Sequence, residues 1–454
     1  MKALEKVGRH SIVKVTPFVD FCRQPFSSAV YPVAQRRAGS PLLQRILNPV
    51  FLFVFSLAGF LLLSSCREVP LHATGEVVQD ADTTSIVRDI LPEAPADTFR
   101  TDRFWNDLAR MLGGMNPLAG SVLDSVDYAA DAHAHQQFFA QAWHLKKHSL
   151  LDSLDWWAAQ EFREEHYGTR PVFYPFSGAD FVTIHTLYPN ALSYTMFGLE
   201  PEGSIVPPQK LDPQRRYANL VNVQHSMDDI INFSFFKTND MRGDFTRYEW
   251  KGTLPLLLAF CARRQNEIIN AYRIQVLEDG TVAPATDSLP QFTDDPIVTG
   301  WRIRFRPIDN PKAPVQTLDY FSVNVHDPYL TQLRGFRNYF GARAPMRTYI
   351  KSASYLLHKP YFGKMAVLIA EVSENILQDD SGYPLRSFDR SYWDLQFYGA
   401  YEHPIPLFAN LYQTDLRQVY LTDSTVKRLP FGIGYVFTKG RSNLMLARKR
   451  VTTP

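Results

Sequence analysis

An α+β fold is predicted for this 454-residue chain by three features. Trp301, Ile303 and Phe305 alternate with Arg302, Arg304 and Arg306, as in a strand with one buried face. Other stretches, from Asp102 to about Tyr167 and from Thr253 onward, carry apolar residues at helical spacing. Aromatic residues make 13%, with 32 Phe and 22 Tyr, which suits packed sheet. Hydrophobic residues at 45% and charged residues at 21% are ordinary for a globular protein. They exclude a disordered tail, a collagen-like fibre and a polytopic membrane protein.

In chain order, Phe104, Trp105, Leu108 and Leu112 share a helical face, and Gly113-Gly114 supply a stop. Phe139, Trp143, Leu150, Leu154, Trp157, Ala158 and Phe162 recur at similar spacing, so a small helical subdomain is predicted over 101–170. The α+β body then spans 171–454. Within it Leu192–Phe197 alternates as a strand and Ser226–Phe236 is helix-like. Thr253-Leu-Pro-Leu opens an apolar helix, with Thr253 as cap and proline in the first turn. Ala271–Leu277 reads as a strand closed by an Asp279-Gly280 turn, and the Trp301–Arg306 strand is predicted to pair with Gln316–His326. Helices are expected over about Met346–Leu357 and Lys364–Leu377, followed by loop-rich strands. A faint echo of Tyr194–Phe197 and its helices in Tyr320–Val323 and its own points to two lobes, 171–290 and 291–400, with a cleft between them.

The formal charge of +2, from 48 Lys+Arg and 46 Asp+Glu, conceals an asymmetry. Residues 1–66 hold eight basic and two acidic residues, leaving the remainder at −4. An uncharged run from Ile46 to Cys66 follows Arg45. A basic flank before an apolar run is the signature of an export signal. The run ends Leu63-Ser64-Ser65-Cys66, which resembles the lipobox of bacterial lipoprotein signal peptides. That resemblance implies removal of residues 1–65 and lipidation of Cys66, anchoring the mature chain to a bacterial envelope membrane, outside the cytoplasm. Residues 66–100, polar and acidic, would be a flexible tether. The alternative is an uncleaved signal anchor, since about 20 uncharged residues span a bilayer. Three cysteines are too few for a disulfide framework or a zinc ribbon, and an acidic exported body argues against a nucleic-acid partner.

No catalytic motif stands out. Ser234-Phe-Phe-Lys237 has the spacing of penicillin-binding serine enzymes, but their Lys-Thr-Gly strand is missing. Asp380-Ser381-Gly382 is one copy of a loop that aspartic-protease chemistry needs twice. Its plainer reading is a helix-ending turn in which Asp379 and Asp380 accept backbone hydrogen bonds. His144, His148 and Asp152 fall on one helical face, a weak metal-ligand pattern interrupted by Lys146 and Lys147, and neither metal nor cofactor is predicted. The stripe of Arg302, Arg304 and Arg306 can hold carboxylates or phosphates unless Asp319 and Asp327 neutralise it. Ser177 is placed as the cap of a short helix with Asp180 in its first turn, and His185 lies five residues on, off Asp180's face. Lys351, His358, Asp379 and Asp380 complete the binding candidates.

Five stretches are familiar as a set: Phe173-Tyr-Pro-Phe-Ser-Gly-Ala-Asp180-Phe, Phe197-Gly-Leu-Glu-Pro201, Lys351-Ser-Ala-Ser-Tyr-Leu-Leu-His358, Ile376-Leu-Gln-Asp-Asp-Ser-Gly382 and Pro430-Phe-Gly-Ile-Gly-Tyr435. Together they resemble a family of uncharacterised bacterial envelope proteins and lipoproteins, over about residues 171–440. The resemblance implies one evolutionary unit from Pro171 and brings no activity with it.

The predicted function is a ligand- or partner-binding body tethered to a membrane, its partner an envelope glycan, lipid or protein. The alternative is an exported hydrolase acting on envelope glycan, peptide or lipid. A hydrolase needs at least two of Asp180, His185, Lys351, His358, Asp379 and Asp380 buried within hydrogen-bond reach of one another.

Overall fold

Ten strands share one mixed sheet in the computed structural model. It describes residues 102–450 apart from 119, 122, 124–128, 234–247 and 286–295. Cys66, the segments 1–65 and 66–100, and the Ser234–Lys237 tetrad lie outside the described residues. The strands are β1 (Val172–Tyr174), β2 (Ser193–Gly198), β3 (Asn266–Val276), β4 (Val282–Pro284), β5 (Val298–Pro307), β6 (Gln316–Ser322), β7 (Met346–Ile350), β8 (Ser373–Gln378), β9 (Trp393–Gly399) and β10 (Asn443–Lys449). In space they run β4-β3-β5-β6-β2-β1-β7-β8-β10-β9. The middle five, β6 to β8, are parallel, and antiparallel strands extend the sheet on both sides. The fold is therefore α+β, as expected.

Helices cover both faces. On one, α1 (Arg103–Leu112), α2 (Ala129–Lys146), α3 (Asp152–Glu161), α5 (Phe181–Leu187), α6 (Pro213–Phe233) and α7 (Leu254–Arg263) share a core with the sheet; α4 (Arg163–Tyr167) follows α3. On the other lie α8 (Asp327–Gln332), α9 (Arg334–Gly341), α10 (Gly363–Val372) and α11 (Thr414–Thr422). Helix α7 is buried from Leu254 to Ala262, so its apolar sequence has no wet face to show. Thr253 does not cap it; its hydroxyl donates to the carbonyls of Pro201 and Glu202.

Two expectations about domains are corrected. The helices over 101–170 are not a separate subdomain: Trp105 meets Trp301 edge-on at 5.8 Å, and Trp157 packs on Tyr398 at 4.9 Å. Nor do 171–290 and 291–400 form two lobes with a cleft. Strands β5 and β6 insert between β3 and β2, so both halves hydrogen-bond into one sheet. Two expected helices are also corrected. Met346–Leu357 is β7 followed by short turns, and Lys364–Leu377 divides into α10 and β8. All five residues of β7 are buried, and a strand covered on both faces lacks the alternation that distinguishes it from a helix.

The β5–β6 pairing is found, with Arg302 opposite Asp319. Arg302 forks onto both oxygens of Asp319 at 2.7 Å each, and Tyr339 donates to the same carboxylate at 2.9 Å. Arg306 pairs with Glu267 at 2.9 Å. The stripe of Arg302, Arg304 and Arg306 is thus not an open anion site, because its two outer members are neutralised within the sheet. Asp327 is not one of the neutralising groups; it accepts the backbone N–H of Lys364 at the start of α10.

Removing one partner of a buried pair strands the other charge. Arg302→Ala is expected to cost about 3 kcal/mol, because Asp319 is almost fully buried. Arg306→Ala, whose pair is more solvated, is expected to cost about 1 kcal/mol or less. Urea unfolding of both variants reads the difference; equal costs would contradict it.

Candidate functional site

The parallel core reverses direction at its centre. From β1 the chain crosses through α5 to β2 on one side; from β7 it crosses through α10 to β8 on the other. Helices α5 and α10 lie on opposite faces, as right-handed crossovers running in opposite directions require. Strands β1 and β7 are thus neighbours whose outgoing chains diverge beyond their carboxyl ends. Open sheets bind ligands in such crevices.

The loops at this edge contain stretches that the sequence singled out. Phe173–Phe181 leaves β1, Phe197–Pro201 leaves β2, Lys351–His358 leaves β7 and Ile376–Gly382 leaves β8. The fifth stretch arrives through its last residue: the Tyr435 hydroxyl donates to the Ser352 carbonyl at 2.8 Å.

Backbone strain concentrates here. Of six non-glycine residues with positive φ among the described residues, four border the crevice: Phe176 (57°), Ser352 (50°), Ser354 (51°) and Tyr355 (51°). Each such residue costs on the order of 1–2 kcal/mol, so the surroundings must hold it in place. They do so through three successive backbone N–H groups. Ser352 N–H donates to Asp379 Oδ2 (2.9 Å), Ala353 N–H to Ser381 Oγ (2.8 Å) and Ser354 N–H to the Tyr435 hydroxyl (3.0 Å).

Charge is buried at the same edge. Asp180, the N-cap of α5, accepts from Thr183 N–H (3.3 Å) and Thr183 Oγ1 (2.8 Å) on Oδ1. Its Oδ2 accepts from the Tyr174 hydroxyl (3.1 Å) and from Lys351 Nζ (2.5 Å). Ser177 therefore does not cap this helix; its hydroxyl donates to backbone carbonyls. Lys351 directly follows β7, and the Lys351 and Asp180 side chains are 1% and 2% exposed. A second buried amine, Lys146, feels the charges of both and is lowered to about 7, chiefly by burial and then by Lys351. It ends α2 just before a π-helical turn, Lys147–Leu151, the kind of irregularity that recurs at functional sites.

Asp379 accepts Ser381 N–H (3.0 Å) and Ser381 Oγ (2.5 Å) on Oδ1. Burial, and then the neighbouring Asp380, push its carboxyl up to about 7. Asp380 accepts from the Tyr355 hydroxyl and from Asn443 Nδ2 (2.9 Å), and burial raises it too. A cavity with room for about one water lies against this pair, lined also by Gln378, Tyr383 and Tyr420. The turn holding the two aspartates ends a strand, not a helix as expected.

The remaining candidates fall outside this cluster. His185 sits among Phe181, Tyr194 and Phe305, with Arg264 Nε 3.3 Å from its Nδ1, and burial holds it well below the usual imidazole range. It is core and does not join Asp180. His358 lies behind the Tyr355 ring at 5.1 Å, lowered to about 4 by burial and Arg386, and its Nε2 is buried without a partner. His144 and His148 meet edge-on at 4.4 Å on the surface, where Lys147 and His148 both engage Asp152. Among the described residues no group of three or more His, Cys, Asp or Glu is placed to hold a metal.

Sequence reasoning did not single out Lys146, Tyr174, Tyr349, Ser352 or Tyr435. Ser352, Tyr174 and Tyr435 were present in the familiar stretches. Lys146 sits in a charged run that reads as solvated, and only tertiary packing, which brings it near Lys351 and Asp180, buries it. Cys261, also buried, is unpaired within α7.

Ser352→Gly tests the strain. Glycine accepts positive φ without cost, so this variant should equal the wild type or gain about 1 kcal/mol in urea unfolding; a loss above that would contradict strain at this residue. Asp379 tests the burial. Its folded value lies above the unfolded one of 3.8, so the native state holds the proton more tightly. The contribution of Asp379 to stability is then full below about pH 4 and is lost as pH rises towards about 7, by at most about 1.4 kcal/mol per unit. Asp379→Asn should flatten that slope; an unchanged slope would place its origin elsewhere.

No known protein family, curated protein or solved structure matches the chain in comparison.

Proposed function

We propose that the body binds a small polar ligand in the crevice between β1 and β7, and that the chain is exported and held at a bacterial envelope membrane by lipid on Cys66. One coincidence carries the binding reading. Reversed strand order, four strained residues and the buried Asp180–Lys351 pair meet at a single edge of the sheet. A fold needs none of these features at its rim, and a ligand site uses all three.

The hydrolase alternative has weaker support. Asp180 and Lys351 satisfy its minimal condition of two buried candidates in contact. A general base, however, must have a lone pair aimed at substrate. The oxygens of Asp180, Asp379 and Asp380 all accept hydrogen bonds from the protein itself. Ser381 Oγ is committed between Asp379 and the Ala353 N–H.

The envelope reading is supported by the basic flank, the apolar run and the Leu63-Ser-Ser-Cys66 site. Among the described residues no helix is long and apolar enough to cross a membrane.

Two measurements check the proposal. Wild-type protein expressed in bacteria should incorporate labelled palmitate and Cys66→Ala should not; labelling that persists in the variant contradicts the anchor. A thermal-shift panel of sugars, amines, carboxylates and phosphates should raise Tm with at least one class, since a ligand at 100 times its Kd adds about 2.7 kcal/mol. No shift across the panel contradicts the ligand site.

A further inference from the structure

We propose that the crevice receives an anionic oxygen group, a carboxylate or a phosphate, which accepts hydrogen bonds from Lys351 and Tyr349. This rests on the crevice being a ligand site and names the chemistry it takes.

An ammonium has three N–H donors. Among the described residues, Lys351 Nζ hydrogen-bonds only to Asp180 Oδ2, although its side chain is 1% exposed. Asp180 has no capacity left for the other donors: Thr183 holds Oδ1 twice, and Tyr174 and Lys351 share Oδ2. Tyr349, on β7 two residues before Lys351, stands close to the same Asp180 carboxylate. Its side chain is fully buried and its hydroxyl has no partner. The Tyr349 ring lies 4.8 Å from that of Tyr174, the residue whose hydroxyl donates to Asp180. The Asp180 carboxylate is also close enough to raise the Tyr349 hydroxyl further above its ordinary range, after burial itself.

Donors thus outnumber acceptors in a buried place, where each unmade bond is a cost to the fold. A carboxylate or phosphate offers an acceptor to each of these donors and a charge opposite to that of the Lys351 ammonium, whereas a cation offers neither.

Lys146 supplies a signature that mere stickiness would not. With its amine lowered to about 7, it is largely neutral at pH 8. An anion bound beside it favours the charged form, so binding at pH 8 takes up protons.

Isothermal titration of the purified protein with sodium phosphate and, separately, sodium acetate tests this at pH 8 in Tris and in HEPES. One anion or both should bind, with a heat that differs between the buffers as proton uptake requires. Tyr349→Phe should weaken binding about tenfold. Its Tm should be unchanged or higher, because the lost hydroxyl had no partner. Lys351→Met should abolish binding; if it does not fold, Tyr349→Phe decides alone. Failure of both anions to bind at about 10 mM, a Kd ceiling worth roughly 2.7 kcal/mol, overturns the inference, as does wild-type affinity in Tyr349→Phe. If a sugar or amine from the panel binds and neither anion does, the anion assignment fails and the ligand site stands. If nothing binds, the ligand site fails first.

Discussion

The handedness of β-crossovers is the constraint on which the rest of this structure depends. A parallel strand can return to its sheet readily only through a right-handed connection. Once β1 leads one way to β2 and β7 leads the other way to β8, their helices must cover opposite faces. The loops beyond β1 and β7 then diverge, and no crossover helix can close the gap above them. What fills it is a set of loops, and loops at that edge are free to carry polar and strained residues that the sheet interior excludes.

Two buried ion pairs in the same sheet show how differently charge is treated inside and at this edge. Arg302 and Asp319 meet across antiparallel strands, fork to fork, with Tyr339 adding a third donor. Every strong group there is answered, as a structural pair requires. Asp180 and Lys351 are drier, since Arg302 keeps 19% of its side chain exposed, yet the acceptor is saturated and the donor is not. Further along, Asp379 and Asp380 sit among tyrosines, their oxygens tied to the 352–355 loop and to Asn443. The loop is strained and the carboxylates are desolvated, and each holds the other in place. Such mutual support is stable as a unit, and it keeps Asp379, pushed up to about 7, in a buried place at the edge of the sheet.

The β5–β6 pairing was legible because one face of β5 is wet: Arg302, Arg304 and Arg306 mark every second residue, and Asp319 arrives opposite Arg302. Helix α1 was legible from its apolar spacing, and α7 from the proline in the first turn of an apolar run. Strands β7 and β8 were not, because burial on both faces erases alternation and leaves short apolar runs that fit a helix equally well. The apparent lobes failed for a related reason. Repeated apolar elements resemble one another in sequence, and only the strand order reveals that they interleave. At the site, Asp180, Lys351, Asp379 and Asp380 were recognised as residue types capable of chemistry, but their convergence depends on β1, β7 and β8 being neighbours. Tyr349 could not be singled out at all, since an unpartnered hydroxyl is a property of packing. His185 went the other way: an ionisable residue after a turn reads as a candidate, and the aromatic core claims it.

If the Asp180–Lys351 pair is kept for a ligand, the fold should not need its charge. The most direct measurement is the unfolding free energy of the double variant Asp180→Asn/Lys351→Met alongside the wild type. Asparagine retains the helix cap, and methionine retains the apolar stem. The account predicts stability within about 1 kcal/mol of the wild type, or above it, since replacing a buried pair by neutral groups is commonly neutral or stabilising. A loss of about 3 kcal/mol or more would contradict it and make the pair a fixture of the fold.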